Sequence, residues 1–175
     1  MGKYFGTDGF RGEANLTLTA DHAFKVGRFL GWYFTQLRRR ERKEGPARIV
    51  IGKDTRRSSY MFEYTLVGGL VASGADAYLL HVTTTPSVAY VARTEDFDCG
   101  IMISASHNPY YDNGFKLINS FGEKMDEGVI ALVEPISTAN WWPSAGNGRS
   151  CPWLSGSRSA APLTMSPAET ATSAT

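Results

Sequence analysis

Short apolar segments alternate with longer segments of helical periodicity along the first 135 residues, and this alternation restricts the fold more than any other feature of the sequence. Apolar runs of strand length predict strands at residues 48–51, 77–82, 99–103 and 115–118. Helices are predicted before the first of these strands, after the first and the second strand, and after the last one. Strands and helices in alternation are typical of an α/β fold, so we expect a layered helix–sheet–helix domain with a largely parallel, mixed sheet.

Capping and turn residues set the predicted helix ends. Thr19 is predicted to cap the first helix, and Gly45-Pro46 to end it. Ser58 or Ser59 is expected to cap the second helix, and Thr85-Pro86 opens the third. A final helix is predicted over residues 125–133.

The pattern changes near Ile136. The residues after it are rich in Ser, Thr, Ala, Gly and Pro, and they include three of the four Trp residues of the chain. Such a segment offers little periodic apolar surface to offset the entropy of ordering it. We therefore predict a folded domain over residues 1–135 and an unstructured tail over residues 136–175, which is either aberrant, out-of-frame sequence or a genuine disordered tail.

Charge and hydropathy exclude two classes of partner. The formal net charge is only +1, whereas binding to a nucleic-acid backbone needs a clear basic excess. The densest basic run, at residues 38–43, is interpreted as a solvated helix end, where the helix dipole favours cations. No apolar run approaches the roughly 18 residues of a membrane-spanning helix. We expect neither a nucleic-acid nor a membrane partner.

The N-terminus and the cysteines indicate a cytoplasmic protein. No apolar segment follows Lys3 as it would in a signal peptide. The two cysteines, Cys99 and Cys151, are too few to indicate a disulfide scaffold or a metal site. Cys99 lies in an apolar run and is predicted to be a buried thiol.

An unusual polar cluster, Ser104-Ala105-Ser106-His107-Asn108-Pro109, follows the third predicted strand. In open α/β sheets ligands gather beyond the carboxyl ends of the strands, and the small residues with Asn-Pro predict a tightly turned, exposed loop. Lys116 follows ten residues after Ser106 on the next strand, where its side chain could return to the same pocket. A hydroxyl, an imidazole and an ammonium group suit phosphoryl transfer, which needs positioning, charge stabilisation and a proton acceptor.

A structural interpretation of this cluster stays open, because Ser106 and His107 could merely hydrogen-bond the turn. A Ser–His hydrolase fits poorly. Adjacent residues cannot easily place the imidazole as a base for the neighbouring hydroxyl, and the chain has no Gly-x-Ser-x-Gly motif.

Two further segments are candidate anion-binding loops. Gly6-Thr7-Asp8-Gly9-Phe10-Arg11-Gly12 carries glycines and one arginine, which suits close approach of an anion. Residues 52–59, with Arg56, follow a strand and enter a helix, where a phosphate could meet a helix N-terminus. The second segment lacks the Gly-Lys-Ser/Thr ending of a P-loop. An ordinary surface turn explains either segment equally well.

Together these segments resemble the α-D-phosphohexomutase superfamily, and the resemblance covers about the first 135 residues, which correspond to the first domain of that family. The order and approximate spacing of the family are matched by Gly6-Thr7-Asp8-Gly9-Phe10-Arg11-Gly12, Gly52-Lys53-Asp54-Thr55-Arg56, Thr84-Thr85-Pro86 and Ser104-Ala105-Ser106-His107-Asn108-Pro109. The first and last of these segments look most like the phosphoglucosamine mutase branch.

The resemblance implies that Ser106 is a phosphoserine. It would donate its phosphoryl group to glucosamine 6-phosphate, and a bisphosphate intermediate would reorient and return the other phosphoryl group, leaving glucosamine 1-phosphate, a precursor of UDP-N-acetylglucosamine and the cell wall. Lys116 matches a general acid or base of the family, and Arg11 matches an arginine near the active phosphate. The other matched positions belong to the loops around substrate and phosphate: Thr7, Asp8, Gly9, His107, Asn108 and Arg56.

The resemblance also implies Mg²⁺, with one phosphate oxygen of the phosphorylated Ser106 as a metal ligand. The Asp-x-Asp-x-Asp metal loop of the family belongs to its second domain and is absent from this sequence. So are the sugar-binding loop of the third domain and the phosphate-binding loop of the fourth. We therefore expect negligible mutase activity from this chain by itself.

Two alternatives to this function stay open. The sugar could be mannose or glucose, as in a phosphomannomutase or phosphoglucomutase, or the chain could be a non-catalytic sugar-phosphate-binding module. The expected partner is a small hexosamine phosphate. The apolar face that would pack on a second domain could also cause self-association.

Overall fold

The computed structural model describes the backbone of residues 5–6 and 9–138 and the side chains of residues 9–133. Strands and helices alternate along most of this part of the chain. In chain order they are β1 (Phe5–Gly6), β2 (Gly9–Glu13), α1 (Ala20–Arg40), β3 (Arg48–Lys53), α2 (Ser58–Val71), β4 (Asp76–Val82), α3 (Thr85–Thr94), β5 (Cys99–Ile103), β6 (Asp112–Asn119) and α4 (Glu127–Thr138).

The described strands form a single mixed sheet in the order β1-β2-β6-β5-β3-β4. Strands β4, β3 and β5 are parallel to one another, whereas β6, β2 and β1 are added in antiparallel pairs. The predicted α/β class and mixed sheet are confirmed, with the parallel pairing confined to one half. Strands β1 and β2 lie where a loop was expected. The sequence did not indicate these strands, because a Gly-rich segment shows no strand periodicity.

Helices cover both faces of the sheet. Helices α1, α2 and α4 share one apolar core with alternate residues of the strands, such as Ile49 and Ile51 of β3. Helix α3 packs on the opposite face in a smaller cluster that contains Val50. Successive side chains of a strand point to opposite faces, so a strand that is covered on both sides is apolar throughout. This explains why the central strands were recognisable as uninterrupted apolar runs.

Two glycines allow helices α1 and α2 to pack with their backbones in contact. A Cβ atom on Gly69 of α2 would lie 2.4 Å from the carbonyl oxygen of Phe24, and one on Gly27 of α1 would lie 2.5 Å from that of Leu66. Real Cβ contacts are never this short, so a side chain at either position would force the helices apart. The position of α2 against the rest of the domain is therefore set by this contact.

The predicted helix ends are partly confirmed. Thr19 caps α1, and its hydroxyl accepts a hydrogen bond from the backbone N–H of His22. The same helix ends at Arg40, ahead of the predicted Gly45-Pro46 terminus. The prediction that Ser58 or Ser59 caps α2 is wrong, because the N-cap position is Arg57 and no side chain caps that end.

The basic run at the end of α1 was predicted to be solvated, but one of its residues is buried. Arg38 is buried, and its Nη1 donates hydrogen bonds of 3.1 Å to both carboxylate oxygens of Asp98. Its Nη2 donates to the carbonyl oxygen of Glu44. Asp98 in turn accepts the backbone N–H of Arg48 at the start of β3. One arginine of the run therefore ties the end of α1 to the sheet.

Helix α4 extends to Thr138, beyond the predicted end at residue 133 and past the predicted domain boundary at Ile136. The predicted tail from residue 139 onward lies outside the described residues and stays a prediction.

Within the described part of the chain, none of the helices combines the length and hydropathy needed to cross a membrane. Cys99 is buried as predicted, and this burial raises the pKa of its thiol.

A buried ion pair lies at the end of β3. The ammonium of Lys53 bonds to Oε2 of Glu63 on α2, and both residues are almost completely inaccessible to solvent. The ring of Tyr60 covers the ammonium, with its centroid 3.4 Å from Nζ. The imidazole Nδ1 of His81, on a bulge of β4, lies 3.5 Å from the second oxygen of Glu63. Each charge is compensated only while its partner is present.

Lys53→Met should destabilise the domain by about 3–5 kcal/mol, because it leaves the Glu63 carboxylate buried without its cation. The double substitution Lys53→Met/Glu63→Leu removes both charges and should restore most of the lost stability. Urea unfolding followed by circular dichroism would measure both variants. A double variant no more stable than the single one would contradict this account.

His22→Gln should remove part of the pH dependence of stability. Burial lowers the pKa of His22 below its ordinary value of 6.5, and its Nδ1 accepts the backbone N–H of Thr19 only while it is unprotonated. The folded-state pKa is the lower one, so this contribution is complete above about pH 6.5 and is lost as the pH falls through the folded-state pKa.

A glutamine at this position can accept the same hydrogen bond at every pH. Between about pH 7 and about pH 5, the free energy of unfolding of the glutamine variant should fall less than that of the unsubstituted chain, because the side chain at position 22 then gains no proton in either state. Equal falls in the two proteins, measured by urea unfolding, would exclude this role of His22.

Candidate active site

The loop between β5 and β6 presents Ser106 to solvent at the carboxyl end of β5. The backbone N–H of Ser104 donates to the carbonyl oxygen of Gly114, which closes the base of the loop. Ser106 is exposed and has a backbone φ of 54°, in the left-handed region that non-glycine residues rarely adopt. Its backbone N–H donates to the hydroxyl of Ser104 at 3.0 Å. The hydroxyl of Ser106 is therefore accessible to a ligand.

Two cationic side chains from neighbouring strands meet the Ser106 hydroxyl. Nζ of Lys116 donates a hydrogen bond of 2.7 Å to Oγ, and Nη2 of Arg11 lies 3.5 Å from the same atom. Lys116 lies on β6 and Arg11 on β2. Lys116 thus contacts Ser106 as predicted. Arg11 also reaches the serine, but from a strand instead of the predicted loop.

Gly114 on β6 makes room for Arg11. The two residues are opposite each other in the β2–β6 register. A Cβ atom on Gly114 would lie 2.7 Å from the carbonyl oxygen of Phe10 and 2.9 Å from Cγ of Arg11. A side chain here would displace the arginine from its path to Ser106. Gly114 therefore leaves space for the Arg11 side chain.

Asn108 and His107 have different surroundings. The side-chain oxygen of Asn108 accepts Nη1 of Arg11 at 3.4 Å, and its side-chain nitrogen donates to Asp112 at 2.9 Å. Asn108 therefore links Arg11 to the far end of the loop. His107 is exposed, and its ring makes no hydrogen bond to another residue among those the structure describes.

Arg56 lies beneath the serine loop. Its Nε donates to Oδ2 of Asp54 at 2.9 Å. Its two terminal nitrogens donate to four backbone carbonyl oxygens of the loop, those of Ser106, Asn108, Pro109 and Asp112. A guanidinium has five N–H donors, and all five are used here. Arg56, which was expected in a candidate anion-binding loop, therefore directs its donors to Asp54 and to the backbone of the serine loop.

Sequence reasoning missed the residues that support Arg56. The carboxylate of Asp54 also accepts the hydroxyl of Ser59 at 2.9 Å. Asn113 is fully buried, and its side-chain nitrogen lies 2.9 Å from the hydroxyls of both Ser58 and Ser59. These hydroxyls link the start of α2 to the start of β6. A buried asparagine gives no signal in a sequence pattern, since the same residue type is common in exposed turns.

The remaining predicted residues are at the edge of this site. Gly9 has a φ of 96°, and a Cβ atom there would lie 2.3 Å from the carbonyl oxygen of Phe115. It therefore allows the first hairpin to lie directly against β6. Thr7 and Asp8 fall outside the described residues. An open cleft of about 260 Å³ borders Gly9, Lys116 and Thr85 and continues beside helix α3.

The described residues do not make a metal site by themselves. No group of three or more His, Cys, Asp or Glu side chains in the described ranges could hold a metal ion. The contacts of the Ser106 oxygen are cationic, whereas Mg²⁺ requires several oxygen ligands. Lys116 and Arg11 together instead suit an anionic group on the serine oxygen, since charge-assisted hydrogen bonds to phosphate are strong.

Comparison with known proteins identifies the domain. The family model "phosphoglucomutase/phosphomannomutase, alpha/beta/alpha domain I" matches residues 2–141. The chain is 79% identical over 134 residues to the phosphoglucosamine mutase of Lachnospira eligens, a match that covers 77% of this chain and 29% of that protein. It is 69% identical over 134 residues to the phosphoglucosamine mutase of Lachnoclostridium phytofermentans, covering 77% of this chain and 28% of that protein.

A solved structure gives the same result. The crystal structure of a phosphoglucomutase/phosphomannomutase family protein from Burkholderia thailandensis superposes with a TM-score of 0.59 and 27% sequence identity. The match covers 74% of this chain and 29% of that one. The chain thus spans less than a third of the length of the proteins it matches. It belongs to the phosphoglucomutase/phosphomannomutase family of isomerases, and the part the structure describes is the α/β/α domain I of that family.

Proposed function

We propose that this chain provides the phosphoserine domain of a phosphoglucosamine mutase, which interconverts glucosamine 6-phosphate and glucosamine 1-phosphate. The observation that carries the proposal is the exposed Ser106 hydroxyl, which lies within hydrogen-bond distance of Lys116 and Arg11. A serine that must repeatedly gain and lose a phosphoryl group has to be open to the substrate and surrounded by positive charge. The relatives named above support glucosamine as the sugar.

The proposed reaction consists of two phosphoryl transfers. In the first, a hydroxyl oxygen of the sugar phosphate forms a bond to the phosphorus of phosphorylated Ser106, while the bond from phosphorus to Oγ breaks. The sugar hydroxyl loses its proton to a base, and Oγ leaves with the bonding electrons. The resulting bisphosphate turns over and returns its other phosphoryl group to Oγ by the reverse step.

Lys116 is placed to act on the serine oxygen. With Nζ 2.7 Å from Oγ, its ammonium can donate a proton to the oxygen as the bond to phosphorus breaks, and the neutral amine can take the proton back in the return step. Arg11 remains charged throughout and would stabilise the equatorial oxygens of the transferring group. These roles assign the proton transfer at the serine oxygen to Lys116 and the electrostatic stabilisation to Arg11.

Mg²⁺ is part of this proposal only through the phosphorylated form of Ser106. A phosphoryl group on Oγ would supply an oxygen ligand, and the other ligands would have to come from residues outside the described part of this chain. When bound, the metal would neutralise charge on the phosphoryl group.

The chain alone should show negligible turnover, because the described residues do not form a metal site by themselves. Its conversion of glucosamine 6-phosphate in a coupled assay with Mg²⁺ and a hexose 1,6-bisphosphate should equal that of a Ser106→Ala control. Turnover that clearly exceeds the control would mean that this domain is a sufficient catalyst.

A chimera tests the function directly. Residues 1–135 of this chain would replace the matching segment of the Lachnospira eligens enzyme, which is 79% identical over 134 residues. The chimera should interconvert the two glucosamine phosphates, and Ser106→Ala should abolish this activity. Ser120→Ala, at an exposed serine in the turn after β6, should leave it unchanged. Lys116→Met should lower kcat by about 10²–10⁴-fold, the usual contribution of an acid–base group.

Phosphate on Ser106 in the purified active chimera, located by peptide mass spectrometry, would complete the test. An active chimera in which Ser106→Ala retains full activity would refute the proposal.

A further inference from the structure

We propose that Arg56 is a positioning residue: it holds Ser106 in its left-handed backbone conformation and does not bind substrate phosphate. The consequence for phosphoryl transfer rests on the function proposed above. The starting observation is the complete use of the Arg56 donors, with one N–H on Asp54 and four on carbonyl oxygens of the serine loop. No donor of this guanidinium is left for a phosphate unless a loop contact is broken.

The Ser106 backbone needs such support. A φ of 54° is unfavourable for a residue with a side chain and persists only where the surrounding structure holds it. The Ser106 N–H is held by the hydroxyl of Ser104 at 3.0 Å, and its carbonyl oxygen is held by Nη2 of Arg56 at 3.0 Å. Both peptide groups that flank this Cα are therefore fixed, and the second of them depends on Arg56.

The backbone conformation decides where the hydroxyl points. Relaxation of Ser106 to a negative φ would rotate its Cα–Cβ bond and move Oγ away from Lys116 and Arg11. The hydrogen bond of 2.7 Å from Lys116 exists only while the strained conformation is maintained. Arg56 thus affects the nucleophile without touching its reactive atom.

The geometry requires an arginine. Four carbonyl oxygens spread over residues 106–112 accept from the two ends of one planar group, and Asp54 fixes the plane of that group through Nε. A lysine offers three donors from one nitrogen atom and could reach only part of this set. Arg56→Lys keeps the charge and loses the bridge, so it separates positioning from electrostatics.

The test compares Arg56→Lys with Arg57→Lys in the full chain. Arg57 is the adjacent arginine; its side chain is exposed and does not cap α2. A positive φ brings the amide and α protons of a residue unusually close, so Ser106 should give an intense intraresidue NOE between them. Arg56→Lys should weaken this NOE while the amide shifts of β3 stay unchanged, and Arg57→Lys should preserve it. An NOE that is unaltered in Arg56→Lys would overturn the proposal.

Kinetics of the same substitutions in the chimera distinguish positioning from phosphate binding. A misplaced nucleophile should lower kcat by about 10–100-fold, with KM for glucosamine 6-phosphate changed less than about twofold. A large increase in KM with kcat preserved would show that Arg56 binds substrate and would also overturn the proposal. If Arg56→Lys does not fold, Asp54→Asn, which disturbs the orientation of the guanidinium, should change both measurements in the same direction.

The two proposals can fail separately. A chimera without mutase activity would contradict the proposed function, and the NOE in the full chain would still decide whether Arg56 holds Ser106. An active chimera with an unaltered NOE in Arg56→Lys would contradict only the role of Arg56.

Discussion

The change from parallel to antiparallel pairing between β5 and β6 is the constraint on which the site depends. Because β6 returns directly beside β5, Lys116 lies next to Met102 in the register and close to the loop that joins the two strands. The antiparallel pairing of β2 with β6 then places Arg11 opposite Gly114, on the side of β6 that carries Lys116. Two cations and one hydroxyl meet because three neighbouring strands bring them to the same edge of the sheet.

Much of the fold could be predicted because its central strands are buried on both faces. The runs around Val50 and Ile101 are apolar without interruption, and this pattern can be recognised from one sequence alone. The outer hairpin could not be predicted in the same way. Its segment around Gly9 is rich in glycine because the backbones approach each other closely, and glycine is also the residue most typical of turns. The same composition therefore favoured a loop.

The residues of the candidate site also fall into those that the sequence predicted and those that it could not predict. Ser106 and Lys116 were recognisable because Ser106 lies in the loop between two paired strands and Lys116 lies on the second of these strands, so their proximity follows from local structure. The meeting of Arg11 with Asn108 depends on a strand register that no local pattern encodes. Arg38 and Arg56 show a related limit, since a run of cations predicts a solvated surface while tertiary partners such as Asp98 bury one member. The roles of such residues come from their partners, which the sequence places far away.

The backbone contact between α1 and α2 links the serine loop to a distant part of the domain. The helix α2 begins next to Arg56 and meets α1 at Gly69, about 16 Å along the helix axis at the usual rise per residue. A rigid rod held at one end transmits any tilt to the other. An added methyl group at Gly69 would therefore act as a wedge, and the arginine at the opposite end would be carried out of line with the carbonyl oxygens above it. The absence of a side chain at Gly69 therefore contributes to the correct position of the Ser106 hydroxyl at the other end of α2.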